Sequence, residues 1–101
     1  MTNNAKFYID NERGYAVLLG YIMNLTKSEF AILKYISERD GYVSSQEIGE
    51  KVVEGRVLTV ESVAVHVCNV NKKANKICGR NLISFQRFKG YCIKKNTDQK
   101  I

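Results

Sequence analysis

The residues of this chain best suited to chemistry are its lysines and arginines, which concentrate in the C-terminal part. Residues 63–101 carry nine basic residues and one acidic residue, whereas residues 1–62 carry seven basic and nine acidic ones. The two parts therefore have formal charges of +8 and −2, which together make the net charge of +6. Clustered ammonium and guanidinium groups bind phosphates, so nucleic acid, an anionic membrane surface and an acidic protein are the candidate partners.

Two groups of these cations have a spacing that suits a DNA duplex. Lys72, Lys73 and Lys76 recur at helical intervals, and Arg87 and Lys89 occupy a predicted turn. A helix fits the major groove, and a hairpin can reach phosphates or the neighbouring minor groove. A membrane-surface helix would need large apolar residues opposite its lysines, where this segment has small Val and Ala. We therefore expect double-stranded DNA as the partner, and no membrane.

Catalytic and metal-binding chemistry finds little support in the residue types. The chain has one histidine, His66, and lacks a Ser-His-Asp spacing, a Gly-rich phosphate loop and a carboxylate pair in its basic part. Cys68, Cys78 and Cys92 contain no C-x-x-C pair, which argues against a zinc site. We expect no enzymatic activity, no cofactor and no metal. Cys68, among lysines, is either a redox-sensitive thiol or, more simply, a small space-filling residue.

The length predicts one domain spanning residues 1–101, with a core at about residues 7–94 and a polar tail at 95–101. No apolar run approaches the ~20 residues that a bilayer requires. The N-terminus lacks a charged-then-apolar export pattern, and three widely spaced cysteines fit thiols kept reduced. These features predict a location in the cytoplasm.

Local patterns predict strands first and helices next. Short β-branched and aromatic runs at residues 7–9, 15–18 and 21–23 predict an antiparallel meander. Thr26-Lys27-Ser28-Glu29 and Ser44-Ser45-Gln46-Glu47 both have the capping-box spacing, so each begins a helix. Between these helices, Tyr42-Val43 is long enough for a bridging strand only. Within the second helix, Gly49 costs up to ~1 kcal/mol relative to Ala, so packing must stabilise that helix.

The longest periodic segment, residues 60–76, predicts a helix with one apolar and one polar side. The apolar side consists of residues at steps of four and three, namely Val63, Val67, Val70, Ala74 and Ile77. The other side carries Val65, His66, Asn69, Lys72, Lys73 and Lys76. Residues 82–86 and 91–94 then flank a turn at 87–90 and predict a hairpin. The predicted fold is α+β: a winged helix-turn-helix with an N-terminal antiparallel sheet, three helices and a C-terminal β-hairpin wing.

This order of elements resembles the OmpR/PhoB-type winged-helix domain, usually the DNA-binding half of bacterial response regulators. The first helix is similar in Leu25-Thr26-x-x-Glu29-Phe30-x-Ile32-Leu33, and the turn into the second in Gly41-x-Val43-Ser44-x-x-Glu47-Ile48. The recognition helix is similar in Val63-x-Val65-His66-Val67-x-x-Val70-x-x-Lys73, and the wing in Arg87-x-x-Gly90-Tyr91. The resemblance covers residues 7–93.

The resemblance implies a bacterial DNA-binding transcription regulator whose third helix enters the major groove and whose wing contacts the backbone or minor groove. With the charge pattern, it implies DNA contacts from Val65, His66, Asn69, Lys72, Lys73, Lys76, Gln86, Arg87 and Lys89. For Arg56, Thr59 and Ser62 two interpretations stay open: loop contacts to a phosphate or, in the family manner, to RNA polymerase, and a flexible loop without such contacts. RNA polymerase or another transcription regulator is then a further partner, and a homodimer on DNA is a compatible assembly.

The departures from the family pattern concern base recognition. Cys68, Asn69 and Asn71 stand where arginines are common, so the helix lacks the groups best suited to bidentate guanine contacts. Base readout would rest on Asn69 against adenine and Val65 against a thymine methyl group. Phe88 replaces the first glycine of the wing. The alternative function is a winged-helix protein-interaction module that docks on a transcription factor or polymerase with little sequence-specific DNA readout.

Overall fold

A computed structural model describes residues 7–53 and 55–93 of the chain. The elements are β1 (Phe7–Asp10), β2 (Tyr15–Leu18), β3 (Tyr21–Ile22), α1 (Lys27–Ser37), α2 (Ser45–Lys51), α3 (Val60–Cys78), β4 (Ile83–Gln86) and β5 (Gly90–Ile93). This order confirms the predicted α+β winged-helix architecture. The predicted tail at 95–101 and the last residue of the predicted second hairpin strand, Lys94, lie outside the described residues. Within the described part, no helix is long and apolar enough to cross a membrane.

The N-terminal sheet is an antiparallel meander in the order β1-β2-β3, as predicted. Phe7 pairs with Leu18 in β1 and β2, and Leu18 pairs with Tyr21 across the β2–β3 hairpin. Leu19 and Gly20 form the connecting turn, both at positive φ (50° and 83°), as a tight two-residue hairpin requires. One face of the sheet, including Leu18, belongs to the buried core.

The two helix starts differ in how their caps are completed. At α1 the predicted capping box is confirmed, because Thr26 Oγ1 accepts from the Glu29 N–H at 3.2 Å and Glu29 Oε1 accepts from the Thr26 N–H at 3.1 Å. At α2, Ser44 Oγ accepts from the Glu47 N–H at 3.1 Å. The Glu47 carboxylate, however, accepts from the Tyr35 hydroxyl and the Arg39 guanidinium of the α1 end. The α2 cap therefore has only the first of the two hydrogen bonds of the predicted capping box. The Glu47 carboxylate, which would accept the second, is bound by Tyr35 and Arg39 instead.

Gly49 shows why α2 contains a poor helix former. Its carbonyl accepts from the Leu58 N–H at 2.9 Å, which brings the segment before α3 against the helix. A Cβ at position 49 would lie 2.3 Å from the Leu58 carbonyl oxygen, so only glycine permits this approach. The packing that the sequence requires for this helix is thus provided by the chain that leads into α3.

The buried side of α3 carries Val63, Val67, Val70 and Ala74, four of the five residues predicted. The helix continues to Cys78, two residues beyond the predicted end, and Gly79 terminates it in the left-handed conformation at φ +78°. α1 and α2 pack against this side of α3. β-branched valines are poor helix formers alone, so these tertiary contacts stabilise the segment as a helix.

The hairpin β4–β5 is fixed at two points. Asn71 of α3 accepts at Oδ1 from the N–H groups of Leu82 and Ile83, both at 2.9 Å, and donates from Nδ2 to the Ile83 carbonyl at 3.0 Å. On the other side, Val43 and Tyr91 exchange two backbone hydrogen bonds of 2.8 Å, which confirms the predicted bridging strand. These anchors set the position of the wing relative to α3.

Candidate nucleic-acid interface

The most exposed row of side chains on α3 contains residues at steps of three and four: Val65, Cys68, Lys72 and Lys76. Val65 is 57% exposed although it is apolar, and it lies in the same row as two lysines. A shallow apolar side chain followed by ammonium groups suits a DNA groove, where bases lie between two phosphate backbones. The row therefore combines one group for a base edge with two groups for phosphates.

One flank of this row is tied to the start of α1. Lys73 Nζ lies 2.6 Å from Oε1 of Glu29, whose side chain is buried. Burial alone would raise the pKa of Glu29, but hydrogen bonds from Lys73 and the Thr26 N–H, with the charges of Lys73 and His66, lower it below its ordinary value. Lys73 thus fixes α3 against α1. Its contact with DNA stays a prediction, and its ammonium group already has a carboxylate partner.

His66 lies on the same flank as Lys73, two turns closer to the start of α3. The residue is half-buried, and its Nδ1 atom is buried without a hydrogen-bond partner in residues 7–53 and 55–93. The predicted phosphate contact would therefore use Nε2. Asn69, also half-buried, lies between the flank and the exposed row. Both remain predicted contacts, at the edge of the exposed surface of α3.

The exposed row of α3 borders a groove of about 590 Å³ that separates the helix from the wing. Cys68, Lys72 and Lys76 line the helix side, while Phe85 and Tyr91 line the wing side with ring centroids 5.0 Å apart. Phe85 is 61% exposed. The groove thus has ammonium groups on one wall and an aromatic ring on the other, a combination suited to phosphates and to sugar or base surfaces. Phe85 was not among the predicted contacts.

The wing tip carries the second predicted group of cations. The turn closes through a 3.0 Å bond from the Lys89 N–H to the Gln86 carbonyl, and Gln86, Arg87 and Lys89 are exposed. The Arg87 guanidinium lies 5.3 Å from the ring centroid of Phe88, and Lys89 Nζ lies 5.5 Å from that of Tyr42. Neither basic side chain forms a salt bridge within the described residues. Both charges are therefore available to a partner.

The loop before α3 holds the remaining predicted residues. Thr59 is the N-cap of α3, and its Oγ1 accepts from the Ser62 N–H at 3.1 Å. Arg56 is exposed beside Val57, which is 69% exposed. Thr59 and Ser62 thus have a structural position at the first turn of α3. Any contact of this loop with phosphate or polymerase stays a prediction.

Sequence reasoning did not identify Asn71 and Phe85 as parts of the interface. Asn71 was interpreted as a lost arginine, whereas its side chain holds the start of β4 through three hydrogen bonds. Nothing local in the sequence indicates this role, because its partners are 11 and 12 residues away. Phe85 had no local signal either: residues two apart in a strand lie on the same face, so alternation places Phe85 on the face of buried Ile83, and only the structure shows it to be 61% exposed.

The arrangement is that of a winged-helix domain, and solved structures share it. No protein-family model and no curated protein matches the sequence. A redox sensor of the streptococci that evolved from two-component response regulators superposes with a TM-score of 0.77 at 18% identity, over 89% of this chain and 40% of that one. The DNA-binding domain of the response regulator AdeR, solved in complex with an intercistronic region, gives 0.74 at 18% identity over 94% and 98%.

A third similar structure is that of an OmpR/PhoB homolog. The response regulator DrrB of Thermotoga maritima, an OmpR/PhoB homolog, gives a TM-score of 0.71 at 18% identity, over 93% of this chain and 44% of that one. The chain therefore has the winged-helix fold of the OmpR/PhoB response-regulator DNA-binding domains, as the resemblance implied. It spans less than half the length of the streptococcal and Thermotoga proteins and nearly all of the isolated AdeR domain.

Proposed function

We propose that this chain is a DNA-binding transcription regulator of bacterial type. The observation that supports this function is the placement of exposed cations on a winged-helix fold: Lys72 and Lys76 of α3 line one wall of an open groove, the wing forms the other wall, and the wing tip carries exposed Arg87 and Lys89. Solved domains of this fold include DNA-binding domains of response regulators, one of them in complex with an intercistronic region. A regulator of this kind would act in the cytoplasm, where bacterial DNA lies.

In the proposed complex, α3 lies in the major groove with Val65 and Asn69 facing base edges. Lys72 and Lys76 then contact phosphates beside the groove, and His66 adds a contact through Nε2. The wing places Arg87 and Lys89 on the backbone or in the adjacent minor groove, where a narrow groove attracts arginine. Gln86, at the end of β4, contributes a neutral hydrogen bond there.

In the proposed complex the protein makes more contacts with the DNA backbone than with the bases. The exposed row of α3 contains no arginine, and the predicted residue for bidentate base recognition, Asn69, is half-buried at the edge of that row. Phosphate contacts position a protein without reading sequence. We therefore infer that sequence preference depends on a few contacts of Asn69 and Val65 and on the shape of the DNA.

The exposed loop before α3 favours a second partner. Val57 is 69% exposed and Val60 is 52% exposed, next to the charged Arg56. Apolar side chains exposed beside a cation suit a protein surface, so we propose RNA polymerase or another transcription regulator as partner of this loop. If this contact dominates, the chain is the protein-interaction module of the alternative function. A homodimer on DNA is compatible with either function.

The salt dependence of duplex binding tests the proposed function. If about six phosphates are neutralised, the logarithm of the association constant should fall with the logarithm of salt concentration at a slope of about −5. Fluorescence anisotropy with an end-labelled duplex measures this slope. Absence of binding at low salt, or binding that does not respond to salt, would contradict the proposal.

The wing contact and the alternative function are tested in the same assay. Arg87→Ala should weaken binding and leave the melting temperature nearly unchanged, because the side chain is exposed and forms no salt bridge within the described residues. Selection of duplexes from a random pool distinguishes the functions. A ratio near one between the affinities for selected and random duplexes supports the protein-interaction module.

A further inference from the structure

Phe88 at the wing tip is unfavourable for the isolated protein in two respects. Its side chain is 95% exposed, the largest exposure among the large apolar residues described. Its backbone has φ +71°, in the left-handed region that favours glycine and that a bulky side chain rarely adopts. No packing within the described residues compensates for either property. An apolar ring held in a strained turn and directed into solvent suggests a binding role.

The surroundings of the ring indicate an anionic partner. Arg87 and Lys89 flank Phe88 in the turn, and the Arg87 guanidinium lies over its ring at 5.3 Å. The whole hairpin, residues 83–93, contains no acidic residue. The ring therefore has a basic residue before and after it in the turn, and both are exposed and able to attract phosphates. The partner must combine negative charge with a flat apolar surface, which DNA does because phosphates border its stacked bases.

We propose that Phe88 is an apolar wedge that enters the minor groove and partly separates two neighbouring base pairs. Arg87 and Lys89 hold the flanking phosphates, and the DNA bends away from the wing. This inference rests on the proposed DNA-binding function and adds to it. Wedge residues of this kind kink a duplex by ~20–90°.

The wedge gives a source of sequence preference that α3 lacks. Pyrimidine–purine steps such as TA and CA unstack most easily, so a wedge favours sites with such a step under the wing. The preference then follows from the deformability of the DNA and needs no hydrogen bond to a base. Duplexes selected with the wild-type protein should accordingly contain a TA or CA step at a fixed distance from the bases that α3 contacts.

The test measures DNA bending with two variants of the same residue. A duplex of about 30 bp, enriched by selection with the wild-type protein and labelled at both ends, reports its bend by fluorescence energy transfer. Phe88→Gly removes the ring and suits the positive φ of the turn, so the fold should be retained. Phe88→Leu keeps an apolar wedge. We expect a bend with wild type and Phe88→Leu, an unbent duplex with Phe88→Gly, and a roughly tenfold loss of affinity for Phe88→Gly.

The outcomes distinguish failure of the wedge alone from failure of the proposed DNA-binding function. A bend that persists with Phe88→Gly, or salt-dependent binding by wild type to an unbent duplex, overturns the wedge while DNA binding stands. Failure of wild type to bind any duplex overturns both. Tight binding of wild type to an acidic protein that Phe88→Gly abolishes, with duplex bending unchanged, also overturns the wedge. The melting temperature of each variant verifies that the hairpin is folded.

Discussion

At the scale of single residues, three lysines of α3 that the sequence groups together have two different environments. Lys72 and Lys76 are exposed and line the groove, whereas Lys73 is paired with the buried Glu29 at 2.6 Å. A buried carboxylate that loses its cation is strongly unfavourable, while an exposed lysine contributes little to stability. Folding and DNA binding should therefore depend on different members of the group.

Lys73→Ala should lower the free energy of unfolding by about 1–3 kcal/mol at neutral pH, because Glu29 stays buried without its cation. The pKa of Glu29 is lowered in the folded state, so the contribution of the pair is present above the ordinary value of 4.5. It is lost as the pH falls through the lower value of the folded protein. Urea unfolding at neutral pH and well below pH 4.5 measures the difference between wild type and variant, which should shrink in acid.

The control for this prediction is Lys72→Ala, which removes the neighbouring exposed charge. It should change the free energy of unfolding by no more than ~0.5 kcal/mol and should weaken duplex binding. Equal stability losses for Lys72→Ala and Lys73→Ala would show that the pair with Glu29 has no special role. A loss for Lys73→Ala that is unchanged in acid would contradict its electrostatic origin.

At the scale of secondary-structure elements, the side chain of Asn71 in α3 forms the hydrogen bonds that attach the start of the wing to this helix. Asn71 makes three hydrogen bonds to the backbone of Leu82 and Ile83, where the chain leaves the turn after α3 and enters β4. On the opposite side, Val43 pairs with Tyr91. The direction of the wing relative to α3 is set by these two attachments, since only short turns join the elements along the chain.

Asn71→Ala should destabilise the domain by about 2–3 kcal/mol, because partly buried backbone groups lose their partners. It should also weaken duplex binding beyond this effect, since the wing loses its fixed direction. Hydrogen exchange of the Leu82 and Ile83 amides measures the local change, and denaturant unfolding the global one. Asn69→Ala, two residues earlier on the same helix, is the matched control and should leave both stability and amide protection unchanged. Unaltered protection in Asn71→Ala would refute the anchoring role.

At the scale of the whole molecule, the charge is distributed unevenly over the fold. The N-terminal sheet, α1 and α2 lie in residues 1–62, which have a formal charge of −2. Most of α3 and the wing lie in residues 63–101, which have a formal charge of +8. Such a distribution orients a protein toward a polyanion before any specific contact forms. Net charge alone does not have this effect, because a cation on the far side of the molecule adds to the total without adding to the interface.

Two variants with the same loss of charge test this distribution. Lys76→Ala removes a cation from the groove, and Arg13→Ala removes one from the β1–β2 turn, where it pairs with Asp10 at 3.2 Å. The magnitude of the salt slope of duplex binding should fall by about 1 for Lys76→Ala and stay unchanged for Arg13→Ala. Equal slopes for the two variants would mean that binding responds to net charge only.

The sequence alone determined the element order, the buried side of α3 and the concentration of cations in α3 and the wing. These follow from periodicity, capping residues and residue type, which are local properties. Three features depend on the folded arrangement: the pairing of Lys73 with a buried carboxylate, the need for glycine at position 49 and the attachment of the wing by Asn71. Each of these depends on groups that lie far apart in the chain: Lys73 is 44 residues from Glu29. A long-range contact leaves no periodic trace, so the three equivalent lysines acquired different roles only when the fold brought Glu29 beside one of them.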